Sequence, residues 1–240
     1  MKPLFYTGCS GFYNKHWKGI FYPEKLPQNQ WLTYYCTQLN TVELNATFYR
    51  FPTLKSMQTW NAKTPEGFLF SVKASKIITH LKKFNDCKQL LDDLYSVCEE
   101  GLRDKLANIL FQMPPSFSYS EEKLKLITDS LDPSFKNVIE FRHPSWWTKE
   151  VYQELGKHQI TFCSISHPTL PADIVSNTST IYVRLHGAPE MFYSNYSESA
   201  LQHLYDEISR QRKIKEVYVY FNNTAGTAGI LNALQFRDLT

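Results

Sequence analysis

Eight short runs of β-branched and aromatic residues alternate along the chain with segments of helical periodicity, and this alternation limits the fold more than any other feature. The runs are LFYTGC (4–9), TVELN (41–45), FLFSVKA (68–74), ANILFQ (107–112), NVIEFR (137–142), ITFCSI (160–165), TIYVRLH (180–186) and EVYVYFN (216–222). This alternation predicts an α/β protein, a single (β/α)8 TIM-like barrel domain over residues 1–240. A doubly wound open sheet needs the same units, but GCSGF after the first run lacks the GxGxxG fingerprint.

Helices are expected where apolar side chains recur on one face, as Leu90, Leu94 and Val97 do. The last helix is predicted over 227–239. Residues that can cap helix starts are Thr53, Ser118 with Glu121, Ser145 and Ser197. The segment HPTLPADIVSNTST (167–180) has two prolines and no helical period, so a loop is expected in place of the helix after strand 6.

The composition is that of an ordinary globular protein, 42% hydrophobic with a formal net charge of +3. No apolar run approaches the roughly 20 residues of a membrane span, and the start MKPLFYTGCSG lacks secretory features. We therefore expect a cytoplasmic protein with no membrane contact. The five cysteines form no CxxC pair, which favours reduced thiols over disulfides or structural zinc. The charge is too small to indicate a DNA-coating protein.

Most of the strands begin with apolar residues and end with polar ones. Residues that share a strand face through the period of two are Glu43 with Asn45, Glu140 with Arg142, and Arg184 with His186. Their neighbours on the opposite face are apolar, so the polar members should point into the barrel near its C-terminal mouth, where barrel enzymes place their chemistry. The alternative is a structural network of buried Glu–Arg pairs.

The charges at the predicted mouth favour an anionic ligand over a metal. Lys73, Arg142 and Arg184 supply three cations beside Glu43 and Glu140, and a metal site tolerates few competing cations. No metal and no cofactor are therefore predicted. Arginine grips phosphate and carboxylate in a bidentate manner, which suits a small anionic ligand.

The loops after strands 7 and 8 carry glycines at a helix start. Gly187, Gly226 and Gly229 could expose backbone N–H groups to an anion, although glycines in such loops are also simply turn residues. Aromatic loops such as 11–23 and 191–196 could stack on sugars or bases, or pack the barrel lid.

Several motifs occur in order over nearly the whole chain: GCSGF, TVELNATFYRFP, TPEGFLFSVKAS, LFQMPPSF, EFRHPSW, YVRLHG and YVYFNN. Together they closely resemble the YecE-like family, domain-of-unknown-function family seventy-two. The resemblance implies a TIM-like barrel whose activity is not established. Its polar motif positions fall here on Glu43, Asn45, Tyr49, Arg50, Lys73, Thr79, His80, Gln112, Glu140, Arg142, His143, Arg184, His186, Asn222 and Asn223. The chain departs from the pattern at CSISHP (163–168) and at Thr224, where members often carry acidic residues; this further weakens a metal site.

The leading hypothesis is an enzyme, a hydrolase, lyase or isomerase, that acts by acid/base chemistry on a small phosphorylated or carboxylated sugar- or nucleotide-like molecule. The candidate catalytic residues are Glu43, Glu140, His186 and Lys73. The candidate substrate-binding residues are Asn45, Tyr49, His80, Gln112, Arg142, Arg184, Asn222 and Asn223. The alternatives are a nucleic-acid-binding, nuclease or repair-type barrel, which is less favoured, and a non-catalytic ligand-binding protein. The sequence leaves the substrate, the reaction and the oligomeric state open.

Overall fold

Eight parallel strands form one sheet that curls into a nearly closed barrel in the computed structural model, which describes residues 2–240. The strands are Leu4–Cys9 (β1), Thr41–Leu44 (β2), Leu69–Lys73 (β3), Leu106–Gln112 (β4), Asn137–Glu140 (β5), Thr161–Ser166 (β6), Thr180–Leu185 (β7) and Glu216–Phe221 (β8). From β2 to β8 each strand pairs with the next along the chain, and β8 pairs with β1. The predicted TIM-like barrel is confirmed.

Helices cover the outside of the barrel. They are Trp31–Tyr35 (α1), Ala46–Tyr49 (α2), Leu54–Ala62 (α3), Lys88–Leu102 (α4), Glu121–Ser130 (α5), Lys149–Lys157 (α6), Glu198–Ser209 (α7) and Ala228–Arg237 (α8). Short 3-10 turns lie at Lys15–Trp17, Gln28–Gln30, Arg103–Lys105 and Pro144–Trp146, and a π-helical turn lies at Ile77–Lys82. The predicted loop after β6 is confirmed, since no helix separates β6 from β7. No helix within residues 2–240 is long and apolar enough to cross a bilayer.

Two of the predicted helix caps are confirmed and two are wrong. The Thr53 and Ser197 side chains accept hydrogen bonds from N–H groups in the first turns of α3 and α7. Ser120, not Ser118, caps α5, and Thr148, not Ser145, caps α6. The Pro144–Trp146 turn shifts the start of α6, because Ser145 lies inside it and its hydroxyl accepts from the Tyr119 N–H instead.

Side chains, not a backbone ladder, close the ring between β1 and β2. The Asn40 amide accepts from the Thr7 N–H (2.9 Å) and donates to the Phe5 carbonyl (2.9 Å). The Tyr35 hydroxyl accepts from the Cys9 N–H (2.7 Å) and donates to the Thr41 carbonyl (3.1 Å). These bonds satisfy backbone groups that would otherwise be buried without partners.

The barrel interior contains a group of tyrosines below the mouth. Tyr182, Tyr218 and Tyr220 are fully buried and pack with aliphatic side chains inside the ring. The Tyr220 hydroxyl lies 2.7 Å from Thr41 Oγ1 and 2.8 Å from Ser71 Oγ, so its polar end is satisfied. A much larger apolar cluster fills the space between the strands and the helices. This filled interior leaves the chemistry at the C-terminal mouth.

Candidate functional site

Arg184 on β7 lies between two carboxylates at the C-terminal end of the barrel. Its Nη2 is 2.6 Å from Glu43 Oε1 on β2, and its Nη1 is 2.6 Å from Glu140 Oε2 on β5. All three side chains are fully buried. The parallel strands bring them together, since Glu43, Glu140 and Arg184 each lie at or next to the last residue of a strand.

The Glu43 carboxylate has a donor on each oxygen. Oε1 accepts from Ser10 Oγ (2.6 Å), and Oε2 accepts from the Tyr182 hydroxyl (2.7 Å) and from Arg184 Nε (2.9 Å). Sequence reasoning did not single out Tyr182 as a site residue. The available signal was its position two residues before Arg184, which puts both side chains on one strand face.

The Glu140 carboxylate is held ionised by two guanidinium groups. Arg142 Nε donates to Oε1, and Arg184 binds Oε2. Burial raises the pKa of Glu140, but the charges of Arg142 and Arg184 outweigh it and hold that pKa well below its usual range. The pair of carboxylates likewise raises the pKa of Arg184, against the effect of its own burial. The inner part of the mouth is therefore a charge-balanced network.

His186 extends this network toward the asparagines. Its Nε2 lies 2.9 Å from Arg142 Nη2 and 3.3 Å from Glu140 Oε1, and its Nδ1 lies 2.7 Å from Asn222 Nδ2. Asn45 Nδ2 in turn lies 3.5 Å from Asn222 Oδ1. Burial lowers the pKa of His186 to about 3 although Glu140 opposes this, so the ring is neutral near pH 7.

This neutral histidine should make the fold acid-sensitive. An imidazole with a pKa of 6.5 takes up a proton in the unfolded chain, whereas His186 resists protonation down to about pH 3 in the folded chain. Stability should therefore fall as the pH drops from 6.5 toward 3, by up to about 1.4 kcal/mol per pH unit. The lowered pKa of Glu140 adds a loss of stability only below its ordinary value of 4.5.

Urea denaturation at a series of pH values measures this slope. His186→Gln should flatten it between pH 6.5 and 4.5, and His16→Gln, at an exposed position, is the control variant. Equal slopes for His186→Gln and the parent protein would show that the buried ring is not the source.

Lys73, at the end of β3, stands apart from the paired charges. Its side chain is buried, and its Nζ lies 4.2 Å from the centroid of the Phe48 ring. Burial, followed by the charge of Arg184, lowers the pKa of Lys73 to about 7, while Glu140 and Glu43 oppose the shift. His80 packs edge-to-face on the same Phe48 ring with a centroid distance of 5.0 Å. Burial, and then the charge of Lys73, lowers the pKa of His80.

The remaining predicted site residues are less close to this network. Gln112 ends β4 in register with Glu140 and is partly exposed. Tyr49 is 73% exposed at the rim. The Asn223 side chain is buried between the loop after β7 and helix α8. Its Nδ2 donates to the Ser194 carbonyl (2.9 Å) and to Asn232 Oδ1 (3.2 Å). Asn223 therefore fixes the loop after β7 onto α8. Its predicted contact with substrate stays a prediction.

Two of the three loop glycines predicted to hold an anion have their N–H groups occupied inside the protein. The Gly187 N–H donates to the Tyr196 hydroxyl (2.8 Å), and the Gly229 N–H donates to the Asn223 carbonyl (3.0 Å). Both groups are used inside the protein because Gly187, with φ at +89°, and Gly229 make close turns against neighbouring backbone.

Among residues 2–240, no group of three or more His, Cys, Asp or Glu side chains is arranged to hold a metal ion. The carboxylates that a metal would need are bound to guanidinium groups. The arrangement that is present holds the charges of Glu43, Glu140 and Arg184 in fixed positions.

The eight parallel strands and their surrounding helices place the chain in the class of TIM-like α/β barrels. The chain belongs to the family described as "Protein of unknown function DUF72", whose model matches residues 6–240. This membership confirms the resemblance drawn from the motifs.

Similar proteins span the same length. A DUF72 family protein from Thermotoga maritima MSB8 is 32% identical, with a TM-score of 0.89 over 98% of each chain. The UPF0759 protein YunF of Bacillus subtilis (strain 168) is 24% identical, covering 98% of this chain and 94% of that protein. A DUF72 family protein from Enterococcus faecalis V583 is 20% identical, with a TM-score of 0.82 over 98% of this chain and 95% of that one, and shares the fold.

Proposed function

We propose that this protein is an enzyme that binds a small phosphorylated or carboxylated, sugar- or nucleotide-like molecule at the C-terminal mouth and transfers protons to or from it. The observation that carries the proposal is that the buried carboxylates of the mouth are paired, while two of its cationic groups are not. Inside, the carboxylates of Glu43 and Glu140 are fully occupied by protein donors. Above them, Lys73 Nζ and Arg142 Nη1 form no hydrogen bond within residues 2–240.

The loop after β3 adds positive charge near these two groups. It carries Lys76, Lys82 and Lys83 against a single acid, Asp86, and Lys76 and Lys82 are exposed. An anion that enters the mouth would therefore meet unpaired cations, while the carboxylates that would repel it are already neutralised. Asn45 Oδ1 at the same end of the barrel is buried and has no hydrogen-bond partner among the described residues.

Lys73 and His80 are the proton carriers in this proposal. Burial lowers the pKa of Lys73 to about 7, and a group whose pKa lies near the working pH transfers protons best. Burial, and then the charge of Lys73, lowers the pKa of His80, which favours its neutral imidazole. His80 Nδ1 lies 2.9 Å from Thr79 Oγ1, and its Nε2 has no protein partner in residues 2–240. The acid/base roles predicted for Glu43 and Glu140 stay untested. Here the two carboxylates act by holding Arg184 and Arg142 in place.

Thermal unfolding in the presence of paired ligands tests the proposal. Phosphorylated sugars and nucleotides should raise the melting temperature by ligand linkage, and the matching unphosphorylated sugars and nucleosides should not. Arg142→Gln should weaken the affinity for the stabilising anion by about tenfold or more, since a charge-assisted hydrogen bond contributes roughly 1.5–3 kcal/mol. Circular dichroism checks that the variant is folded.

The proposal fails if phosphorylated and unphosphorylated ligands have the same effect, or if Arg142→Gln binds the anion as the parent does. Binding of an oligonucleotide with a steep salt dependence, without binding of any small anion, would overturn it in favour of a nucleic-acid-binding barrel. Binding without turnover of any stabilising molecule would overturn the catalytic part.

A further inference from the structure

Two lysines of this chain are equally buried, but their amino groups have opposite surroundings. Lys73 and Lys105 are each 8% exposed. Lys105 Nζ donates to the carbonyls of Asn61 (2.8 Å) and Thr64 (2.6 Å) and to Thr64 Oγ1 (3.1 Å). Lys73 Nζ has no acceptor within residues 2–240 and lies over the face of Phe48, 4.2 Å from the ring centroid. The hydrogen-bond donors of the Lys105 ammonium are thus taken up by protein acceptors, whereas those of Lys73 are not.

The Lys73 side chain is largely removed from water and the described protein offers its ammonium no acceptor, so its surroundings favour the neutral amine. Burial is the larger cause and the charge of Arg184 is the next, and together they lower the pKa of Lys73 to about 7. A large fraction of the amine then carries a free lone pair near neutral pH, the form in which lysine attacks carbonyl carbon.

The segment after β2, which forms the short helix α2, holds the Phe48 ring beside Lys73. Thr47 Oγ1 lies within hydrogen-bond distance of both the Leu44 carbonyl (2.7 Å) and the Lys73 carbonyl (2.6 Å), which joins the turn after β2 to the end of β3. That turn carries Phe48, so the ring is held against the amine, and His80 packs on the same ring. The amine thus lies at the barrel mouth beside an imidazole that can transfer protons.

We propose that Lys73 is a catalytic nucleophile that forms an imine with an aldehyde or ketone group of the substrate. The inference rests on the proposed function, since the same mouth binds the anionic part of that molecule. It narrows the substrate class to small carbonyl compounds that carry a phosphate or carboxylate, such as 2-oxo acids or phosphorylated sugars in their open-chain form. It also favours a lyase or isomerase over a hydrolase.

The step balances without any oxidant or reductant. The Lys73 lone pair forms the N–C bond while the C=O π pair moves to oxygen, and a proton shift from nitrogen to oxygen gives the carbinolamine. A proton delivered by His80 then lets the hydroxyl leave as water, and the nitrogen lone pair forms the iminium double bond. The iminium next accepts the electron pair of an adjacent C–H bond, whose proton passes to the deprotonated His80. It can instead accept the pair of an adjacent C–C bond, whose fragment leaves as a carbonyl compound while its hydroxyl proton passes to His80. Protonation of the resulting enamine and hydrolysis by water release the product and the free amine.

Reductive trapping on the whole protein tests the proposal. The protein is incubated with pyruvate, with glyceraldehyde 3-phosphate or with neutral acetaldehyde, and sodium borohydride is added, whose hydride converts an iminium to a stable secondary amine. Intact-mass measurement and peptide mapping should show one modification per chain, located at Lys73. Lys73→Arg should reduce the extent of trapping at least tenfold, and Lys105→Arg, the equally buried control, should leave it at the parent level. Circular dichroism checks that both variants fold.

Modification spread over exposed lysines, with no preference for Lys73 in the folded protein, would overturn the proposal. So would equal trapping in the parent and in Lys73→Arg. Acetaldehyde carries no anionic group, so it tests the nucleophilic role of Lys73 separately from anion binding at the mouth. Trapping of acetaldehyde at Lys73 supports the nucleophile even if no anion raises the melting temperature. Stabilisation by anions without trapping of any carbonyl compound overturns the nucleophile and leaves the anion site intact.

Discussion

Arg184→Met is expected to lower the free energy of unfolding by about 3–5 kcal/mol, the range found when one partner of a buried ion pair is removed. Arg184 donates to Glu43 and Glu140 at distances down to 2.6 Å, and all three side chains are fully buried. Without the guanidinium, Glu43 keeps only hydroxyl donors and Glu140 keeps Arg142 and the neutral His186. Urea denaturation monitored by circular dichroism gives the change in stability.

Two further variants show whether unpaired charge causes the loss. Adding Glu43→Gln and Glu140→Gln to Arg184→Met removes the stranded carboxylates and should recover part of the stability. Lys125→Met breaks an exposed pair with Asp129 (2.7 Å) and should cost less than about 1 kcal/mol. If Arg184→Met costs no more than Lys125→Met, the buried network does not stabilise the fold in the way described.

Gly8→Ala should destabilise the barrel by about 1–3 kcal/mol or more, as overpacking of a close contact does. A Cβ at this position would lie 2.1 Å from the Thr41 carbonyl oxygen and 2.9 Å from its carbon. These are backbone atoms of the adjacent strand, so no rotamer change can relieve the clash. The strands would have to separate at the junction that Asn40 and Tyr35 bridge.

Gly226→Ala is the matched control, because a Cβ there meets no atom within 4 Å and the backbone conformation is an ordinary one. It should change stability by at most a few tenths of a kcal/mol or be mildly stabilising. Denaturant midpoints of the two variants, compared with that of the parent, give the result. A Gly8→Ala protein as stable as Gly226→Ala would mean that β1 and β2 can move apart without cost.

The fold could be predicted from the sequence because each strand is a short β-branched or aromatic run and most intervening segments have helical periodicity. The clustering of Glu43, Glu140 and Arg184 also followed from local information, since parallel strands end at the same edge. The helix caps were harder to place, because Ser118 and Ser120 are equally suitable in composition and only the chain path decides between them.

Contacts between distant segments were beyond such reasoning. The spacing puts Tyr182 on the same strand face as Arg184, but its bond to Glu43 on β2 depends on the curvature of the barrel. The hydrogen bond from the Gly187 N–H to the Tyr196 hydroxyl depends on the path of an irregular loop. The lack of any acceptor for Lys73 is likewise a property of the three-dimensional surroundings, which the residue type alone does not reveal.

The side-chain closure between β1 and β2 has a consequence for synthesis on the ribosome. Within the described chain, the backbone of β1 (4–9) forms its ladder with β8 (216–221), so the first strand of the barrel has its partner in the eighth. Its sequence neighbour β2 offers only side-chain bonds in the meantime. Strand β1 must therefore wait without a backbone partner until β8 has emerged. Completion of this barrel is consequently a late, long-range event that a nascent chain cannot carry out in stages.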